Sequence, residues 1–364
     1  MDFEYNGNNY SVERYPTSEN KSLKAWSAAD EHALSYIKKN NIPCTKPIVF
    51  NDRFGFLSTL LADKKPTAVI DFKSQEKAFK INLNTNKIDS TQVALVNSIA
   101  PLKSSYDLAI LKVPKSLDLF RLQLVQLHNA LDDNAIVICA FMTKYFSPQV
   151  LSIANEFFEE CEQSKAWKKS RILILKKKKN IESQELIHTI PFTKAKSFKQ
   201  YYGVFSAKNI DYASQFFIEN MVVTLGDHKV LDLASGNGVL AYAALEGKPN
   251  REIHLVDDSY LAVESSKMNV EGENVHFHYN DSLSDFEDNT FDLIISNPPF
   301  HFEYETNIEV AIDLFKEVRR CLKKGGSFQM VTSHHLNSKT HLHKLFHKVN
   351  IVAEDKKFVV YNCI

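Results

Sequence analysis

The sequence predicts an α/β fold with two tandem domains, each built on a mostly parallel sheet with helices on both faces. Two observations lead to this prediction. Short apolar strands alternate with helices of apolar periodicity along all 364 residues, a length that suits about two domains. In addition, one pattern of strand, helix, turn and strand occurs once in each half of the chain. We therefore predict a duplicated fold.

The repeat is clearest when residues 106–114 (YDLAILKVP) are compared with residues 291–299 (FDLIISNPP). In each half an apolar-periodic helix, a turn and a strand follow, and a further strand closes the half. We predict the helices at 119–131 and 308–322, the next strands at 134–140 and 326–331, and the closing strands at 171–175 and 357–361. The predicted domains are 1–180 and 201–364, with a linker at 181–200.

The segment Asn297-Pro298-Pro299-Phe300 follows a predicted strand and suits methyl transfer to an amino nitrogen that is conjugated with a ring. The lone pair of such a nitrogen is delocalised. An Asn side-chain oxygen and the next backbone carbonyl can each accept a hydrogen bond from one of its N–H groups. This geometry pulls the nitrogen toward sp³ and frees the lone pair. The prolines stiffen the turn, and the aromatic ring can stack on the target. We predict Asn297, Pro298 and Phe300 as catalytic; the alternative is a Pro-rich turn.

About sixty residues upstream, residues 229–240 (KVLDLASGNGVL) read as a strand, a glycine-bearing loop and a helix start. Gly236 and Gly238 allow close approach to a ligand, although a tight strand–helix turn is a common alternative. The next predicted strand ends in Asp257-Asp258, where an acid can bind ribose hydroxyls. A third strand ends at Asn280-Asp281, within reach of an adenine amino group. These motifs predict a nucleoside-containing cofactor.

Loop, acids and N-P-P-F in this order resemble the class I S-adenosylmethionine-dependent methyltransferases that modify amino nitrogens. The resemblance implies S-adenosylmethionine as cofactor and a Rossmann-like fold. Such enzymes usually read D-x-G-x-G-x-G, and here Ala234 replaces the first glycine. The sequence contains neither G-x-x-x-x-G-K-[ST] nor G-x-G-x-x-G, which argues against an ATPase or a dinucleotide oxidoreductase.

A narrower resemblance is to the bacterial rRNA guanine-N2-methyltransferases, which typically read G-V-F-S, V-L-D-x-x-x-G-x-G, V-D and N-P-P-F-H. The matching residues here are 203–206, 230–238, 256–257 and 297–301. The family has a cofactor-free N-terminal duplicate, so the likeness covers nearly the whole chain. Residues 112–115, 319–323 and 356–360 look more like the large-subunit (23S) enzyme than the small-subunit (16S) enzyme. The resemblance implies rRNA as partner, with 23S favoured and 16S as the alternative.

The resemblance also implies roles for single residues. The cofactor-binding set is Phe205, Ser206, Asp232, Gly236, Gly238, Asp257, Asp281 and Asn297. Within it, Asp257 binds the ribose, Asp281 the adenine amino group, and Asp232 orders the loop and reaches the methionine amine through water. The target guanine leaves its stack or sits in an unpaired loop to enter the site. His301 is a candidate to accept the proton of the methylated amine, and a positioning role is its alternative.

The two halves differ in charge, which bears on RNA recognition. Residues 1–200 carry 29 Lys+Arg and 21 Asp+Glu, and residues 201–364 carry 15 and 23. This asymmetry suggests that the first half meets a polyanion, with a solvated Lys-rich face as the alternative. Its loop at 51–55 (NDRFG) lacks paired glycines, and Lys112 stands where the second half has Asn297. A cation there repels a sulfonium and can hold phosphate, as can the lysines at 176–179.

Other function classes are disfavoured. No apolar run approaches the length of a membrane span, and the N-terminus is not a signal peptide. Five scattered cysteines suggest reduced thiols and a cytoplasmic protein without a metal framework. The histidines at 334, 335, 341, 343 and 347 are assigned to a solvated helix, so no metal is expected.

Three rival functions stay open at this point. Two change the target, to glutamine N5 of a release factor or adenine N6 of DNA; those families usually carry Tyr where this chain has Phe300. The third is a non-catalytic RNA-binding protein of ribosome assembly. The intact Asn297 and the acids argue against such decay.

Overall fold

The structure is a computed structural model that describes the chain except for residues 19, 21, 104, 247, 249, 299, 300, 303, 304, 307 and 337; no side chain from 301 to 311 is described. The chain divides into two compact units, Met1–Leu186 and Ile187–Ile364. No described helix is long and apolar enough to cross a membrane.

The first unit opens with a short hairpin and then alternates strands with helices. Its strands are β1 (Asp2–Tyr5), β2 (Asn8–Ser11), β3 (Pro47–Phe50), β4 (Thr67–Ile70), β5 (Ala94–Asn97), β6 (Tyr106–Lys112), β7 (Leu131–Met142), β8 (Phe158–Gln163) and β9 (Ser170–Lys178). Its α-helices are α1 (Ala28–Lys39), α2 (Phe56–Leu60), α3 (Lys73–Thr85), α4 (Leu117–Ala130) and α5 (Pro148–Phe157). Short 3₁₀ helices lie at Ala62–Lys64, Ser90–Gln92 and Thr143–Tyr145.

The second unit repeats this alternation after its own hairpin. Its strands are β10 (Ile187–Pro191), β11 (Ser197–Tyr201), β12 (Lys229–Leu233), β13 (Glu252–Asp257), β14 (Val275–Tyr279), β15 (Phe291–Ser296), β16 (His301–Phe302), β17 (Glu305–Thr306), β18 (Leu322–Ser333), β19 (Val349–Glu354) and β20 (Phe358–Cys363). Its α-helices are α6 (Tyr212–Asn220), α7 (Val239–Leu245), α8 (Tyr260–Lys267), α9 (Ile308–Cys321) and α10 (Ser338–Leu345), with a 3₁₀ helix at His334–Leu336.

Both units are built on a seven-stranded sheet with the same topology. The strand order is β5-β4-β3-β6-β7-β9-β8 in the first unit and β14-β13-β12-β15-β18-β20-β19 in the second. The first five strands of each order are parallel, and the last two run antiparallel to their neighbours. The predicted α/β fold with two tandem domains is confirmed. In both units the strand after the long helix starts directly at the helix end, several residues before the predicted strand.

A polar contact repeats along with the topology. Asp107, the second residue of β6, accepts a hydrogen bond from the backbone N–H of Lys46 at 2.8 Å. Asp292, the second residue of β15, accepts one from the backbone N–H of Lys229, also at 2.8 Å. In both units the aspartate therefore ties the start of the fourth central strand to the start of its neighbour. This supports the predicted repeat between residues 106–114 and 291–299.

The central strands are buried on both sides, so their sequences are continuously apolar rather than alternating. In β15, Leu293 and Ile295 pack into one apolar cluster, while Phe291 and Ile294 pack into another on the opposite face. All four side chains are fully buried. This double burial fixes the strand, and its carboxyl end delivers the segment that begins at Asn297.

Most of the predicted linker at 181–200 belongs to the second unit, and nine of its 20 residues lie in strands β10 and β11. Strands β10 and β11 form an antiparallel hairpin that extends to Tyr201. Phe198, the second residue of β11, is fully buried in the core of the second unit. The compact units meet between residues 186 and 187.

Candidate functional site

The glycine-bearing loop leaves the carboxyl end of β12 in a strongly curved backbone. Ala234, Gly236 and Gly238 all have left-handed φ values, of 58°, 56° and 82°. Ala234 thus adopts the conformation that favours the glycine it replaces. The curvature turns the chain from β12 into α7 at the carboxyl ends of the parallel strands.

The two glycines of the loop have different roles. A Cβ added at Gly238 would lie 2.8 Å from Val270 Cγ2, 3.2 Å from Ser266 Cβ on α8 and 3.3 Å from Leu255 Cδ2 on β13, so close packing requires a small residue here. A Cβ added at Gly236 would meet no atom within 4 Å among the described residues. Open space in front of a left-handed glycine is where a ligand can approach the backbone. Of the two, Gly236 is therefore the one whose Cβ position faces open space.

Asp257 orders the loop from the neighbouring strand. Its Oδ2 accepts a hydrogen bond from the backbone N–H of Gly236 at 2.8 Å, and its Oδ1 accepts one from the backbone N–H of Ser259 at 2.8 Å. Each carboxylate oxygen has a second lone pair that can accept a ligand hydroxyl. Asp257 ends β13, next to the loop, which is where the ribose-binding acid was predicted.

Asp232 lies beneath the loop and is fully buried. Its Oδ2 accepts a hydrogen bond from the backbone N–H of Ala241 at 2.9 Å, whereas its Oδ1 has no hydrogen-bond partner in the described part of the chain. Burial raises the pKa of Asp232 to about 7, the Ala241 N–H lowers it, and the charge of Asp257 raises it further. The Oγ of Ser235 is likewise buried without a described partner. Two buried polar atoms that lack partners mark a site for a polar ligand.

Asn297 follows β15 and lies beside the loop, because Ser296 pairs with Leu233 across the parallel strands. Its Nδ2 donates to Asp211 Oδ2 at 3.1 Å and to Ser214 Oγ at 2.9 Å. Pro298, the next residue, is buried, while Phe300 lies outside the described residues, as does the side chain of His301. Asn297 and the loop thus come together at the carboxyl ends of the central strands, along one edge of the sheet.

The remaining predicted residues are arranged around this edge. Asp281 follows β14, whose last residue Tyr279 pairs with Asp257, so Asp257 and Asp281 lie at the ends of neighbouring strands. Phe205 is 72% exposed, which excludes a core role for its ring. Ser206 has a left-handed φ of 62°, and its Oγ donates to the carbonyl of Asn209 at 2.5 Å.

The residue that connects the 203–206 segment with the glycine loop was not predicted from the sequence. Gln200, fully buried at the end of β11, donates from Nε2 to the carbonyls of Val204 and Phe205, at 3.1 and 3.2 Å. Its Oε1 accepts a hydrogen bond from Asn237 Nδ2 at 2.8 Å. Asp211 and Ser214 were missed as well. Their only signal in the sequence is the N-cap pattern at the start of α6.

In the first unit, the equivalent positions hold different chemistry. Strand pairing places Lys112 where the second unit has Asn297, and Arg53 where it has Gly236. The guanidinium of Arg53 lies 5.1 Å from the ring centre of Phe72. Lys112 Nζ lies 3.1 Å from Asp30 Oδ1, and Asp30 is fully buried at the start of α1. This ion pair argues against the predicted phosphate contact of Lys112.

The lysines at 176–179 were also predicted as phosphate contacts, and most of them have partners within the first unit. Lys177 pairs with Glu160 at 2.5 Å. Lys178 Nζ donates to the carbonyl of Leu131 at 2.6 Å, and Lys179 Nζ donates to the carbonyl of Asn155 at 2.6 Å. These contacts make the run a set of strand-end lysines that already bind protein oxygens.

Comparisons with known proteins agree with this arrangement. Residues 1–180 match the family described as RLMG N-terminal domain, and residues 195–362 match the family described as Methyltransferase small domain. The chain is 32% identical to Ribosomal RNA large subunit methyltransferase G of Pseudoalteromonas translucida, over 96% of this chain and 94% of the relative. It is 31% identical to the protein of the same name from Klebsiella pneumoniae, over 98% and 96%.

A solved structure has the same two-unit fold. The T. thermophilus 16S rRNA N2 methyltransferase in complex with AdoMet and guanosine superposes with a TM-score of 0.77. The alignment covers 100% of this chain and 97% of that one, at 18% sequence identity. At this identity the match establishes the fold.

Proposed function

Since the chain belongs to the ribosomal RNA large subunit methyltransferase G family, we propose that it transfers a methyl group from S-adenosylmethionine to the N2 amino group of a guanine in 23S rRNA. The product is N2-methylguanosine. The observation that carries the proposal is the fixed amide of Asn297, held at the sheet edge beside the glycine loop.

The residues around the loop suit S-adenosylmethionine. Asp232 Oδ1 and Ser235 Oγ are buried acceptors without described partners, and the space before Gly236 is open. We assign Asp257 to the ribose hydroxyls, Asp281 to the adenine amino group and Asp232 to the methionine amine. When bound, this cofactor supplies a methyl group on a positively charged sulfur, which nearby carboxylates favour.

Phe205 and Ser206 remain our candidates for covering the methionine end of the cofactor. Phe205 is exposed, so its ring is free to pack on a ligand. Gln200 holds the carbonyls of this segment and also holds Asn237 of the loop. This link supports a shared function for the segment and the loop. Gly238 contributes through packing against Val270 rather than through open space.

The target amine is held by two acceptors. The Nδ2 of Asn297 is occupied by Asp211 and Ser214, which leaves Oδ1 as the acceptor for one guanine N–H. The carbonyl of Pro298 accepts the other. Two accepted hydrogen bonds hold the amine with its lone pair toward the methyl donor, so positioning supplies much of the acceleration. Phe300, outside the described residues, is our candidate for stacking on the guanine base.

A strong base is not required before transfer. The nitrogen becomes acidic once it is methylated and loses its proton to water or to a neighbouring group. His301 is a candidate for this neighbour. A positioning role at the pocket is its alternative.

We propose that residues 1–180 recognise rRNA without binding cofactor, and that residues 201–364 catalyse the reaction. Arg53 stands in place of Gly236, and a side chain of this size needs space that a glycine leaves open. The difference in net charge between the two parts of the chain is smaller when the compact units define the boundary. Residues 1–186 carry 26 Lys+Arg and 21 Asp+Glu, and residues 187–364 carry 18 and 23. The sign of the asymmetry still favours contact of the first unit with RNA in the cytoplasm.

The test is the rRNA modification map of a strain that lacks the gene. Nucleosides from purified 23S and 16S rRNA are quantified by mass spectrometry in the wild type, in the deletion strain, and in the deletion strain carrying either the intact gene or an Asn297→Ala gene. We expect one N2-methylguanosine to be missing from 23S rRNA alone. The intact gene restores it and the Asn297→Ala gene does not.

Other outcomes would reject defined parts of the proposal. Loss from 16S rRNA would change the target subunit. An unchanged nucleoside profile would reject methylation of rRNA. Restoration by the Asn297→Ala gene would reject the catalytic role of Asn297 while leaving the reaction intact.

A further inference from the structure

A cluster of histidines lies on one face of the second sheet, where β13 pairs with the edge strand β14. Glu252 and His254 are two residues apart on β13, and His276 and His278 are two residues apart on β14. Side chains two residues apart on a strand share a face. His254 pairs directly with His276 across the strands. Four ligand-type side chains therefore converge at the sheet edge.

Three of these side chains bring their ligand atoms close together. His254 Nε2 lies 2.9 Å from Glu252 Oε1, and His276 Nε2 lies 3.9 Å from the same oxygen. One ligand atom from each residue lies within 4.8 Å of the others. Ligand atoms around a tetrahedral Zn²⁺ are roughly 3.3–3.6 Å apart, given bonds of about 2.0–2.2 Å. The observed separations bracket this spacing.

We propose that Glu252, His254 and His276 bind a Zn²⁺ ion. Imidazole nitrogen and carboxylate oxygen are ligands that zinc accepts. The side chain of His276 is 45% exposed, so the fourth position opens to solvent and takes water. This arrangement has three protein ligands and one water at the surface of the sheet. It is separate from the loop at 234–238.

His278 supports the site as a positioning residue. Its Nε2 lies 2.9 Å from His254 Nδ1. With the metal on Nε2, His254 donates its Nδ1–H to His278, which fixes the tautomer and the ring orientation. Phe286 and Phe291 pack edge-on against the same ring, at 5.6 and 5.4 Å between centroids. The ring of His254 is therefore held before any metal arrives.

Lys229 occupies part of the site when no metal is bound. Its Nζ lies 2.9 Å from Glu252 Oε1, the oxygen shared by the two histidine contacts. A metal ion bound through Glu252 Oε1 competes with this ammonium group, because the two cations repel each other and use the same oxygen. Removing the Lys229 charge should therefore tighten zinc binding. Adventitious binding at scattered surface histidines would not respond in this way.

The experiment uses the full chain without a histidine tag, stripped with a chelator and kept reduced with a phosphine. Zn²⁺ is titrated by calorimetry, and thermal unfolding is followed with and without the ion. We expect one equivalent to bind with a dissociation constant in the micromolar range or below, and to raise the melting temperature.

The variants separate the site from other zinc ligands. His276→Ala and Glu252→Gln should each raise the dissociation constant at least tenfold, and His278→Gln should raise it about 10–100-fold. Lys229→Met should lower it. His343→Ala is the matched control, because His343 is an exposed histidine on α10. The zinc affinity of this variant should equal that of the intact chain.

Three results would overturn the proposal. The first is the absence of saturable binding by the intact chain. The second is unchanged affinity in both His276→Ala and Glu252→Gln, two variants at partly exposed positions whose folding is checked by thermal unfolding without metal. The third is an equal loss of affinity in His343→Ala.

Discussion

The side-chain amide of Asn297 donates to the carboxylate of Asp211, the N-cap residue of α6, with 3.1 Å between Nδ2 and Oδ2. An ionised carboxylate only accepts hydrogen bonds, so it decides which end of the amide faces it. The carbonyl end, Oδ1, is turned away as an acceptor. A helix cap thus sets the orientation of the proposed catalytic group.

Replacing Asn297 with Ala should remove turnover while leaving cofactor binding nearly intact. The variant loses the acceptor for the guanine amine, and loss of one preorganised hydrogen-bonding group typically lowers kcat about 10²–10³-fold. Methyl transfer to rRNA is measured in single turnover, and binding of S-adenosylmethionine is measured by calorimetry.

The matched control is Asn274→Ala, which truncates an exposed asparagine of the same unit and should change neither quantity. A large loss of cofactor affinity in Asn297→Ala would contradict the assigned role. It would mean that Asn297 serves the cofactor rather than the amine.

Asp211→Asn should lower kcat about tenfold while preserving the stability of the chain. Asn is as good an N-cap as Asp, so the hydrogen bond from the Ser214 N–H, 3.2 Å long with Asp211, can persist. The amide at 211 can donate as well as accept, so it no longer dictates the orientation of Asn297. Single-turnover rates and thermal unfolding distinguish the two effects. If the rate of Asp211→Asn fell only together with its thermal stability, Asp211 would have a purely structural role.

Features formed by residues close together in the chain were predicted from the sequence, and contacts between residues far apart in the chain were not. The N-P-P-F segment and the glycine loop are local patterns, so residue types and spacing predicted both. The partner of Asn297 lies 86 residues away in the chain, and no local pattern specifies that pair. Gln200 and the zinc-type cluster were missed for the same reason. The E-x-H and H-x-H patterns at 252–254 and 276–278 gain meaning only when β13 and β14 pair in register.

The duplication was predicted from weak sequence similarity, and the sheet order now supports it strongly. The contacts of single residues in the first unit could be assigned only once the strand register was known. The sequence suggested that Lys112 is free to hold phosphate, but tertiary packing places it against the buried carboxylate of Asp30. A buried acid needs a partner, and Lys112 meets that need.

Substitution by Ala should affect mainly stability at Gly238 and mainly cofactor binding at Gly236. Gly238→Ala should destabilise the fold by about 2–4 kcal/mol, because a Cβ at φ 82° is strained and would lie 2.8 Å from Val270 Cγ2. Gly236→Ala should destabilise it by only about 1–2 kcal/mol from backbone strain, but should weaken S-adenosylmethionine binding at least tenfold by filling the open space. Denaturant unfolding and calorimetry on both variants provide the comparison. Similar stability losses in the two would argue against separate roles.

The contribution of Asp232 to the stability of the protein should fall as pH rises through the range in which its carboxyl ionises. Burial, as the main cause, raises the pKa of Asp232 from 3.8 to about 7. Between these values the folded state holds a proton that the unfolded state has released. The stabilisation is therefore fully present below about pH 4 and is lost as pH rises through about 7. The slope approaches about 1.4 kcal/mol per pH unit for one proton.

In Asp232→Asn the side chain at position 232 is neutral at every pH, so the plot of unfolding free energy against pH should be flatter. The unfolding free energy of this variant minus that of the intact chain should rise by about 2–4 kcal/mol from pH 5 to pH 8. Asp292→Asn is the control. Burial favours a higher pKa at Asp292, but bonds from Lys323 and Lys229 lower it, so that carboxylate stays ionised throughout this range. The difference between Asp292→Asn and the intact chain should thus stay constant from pH 5 to pH 8. Parallel profiles for Asp232→Asn and the intact chain would show that Asp232 is already charged below pH 5, because neighbouring groups or water stabilise its carboxylate.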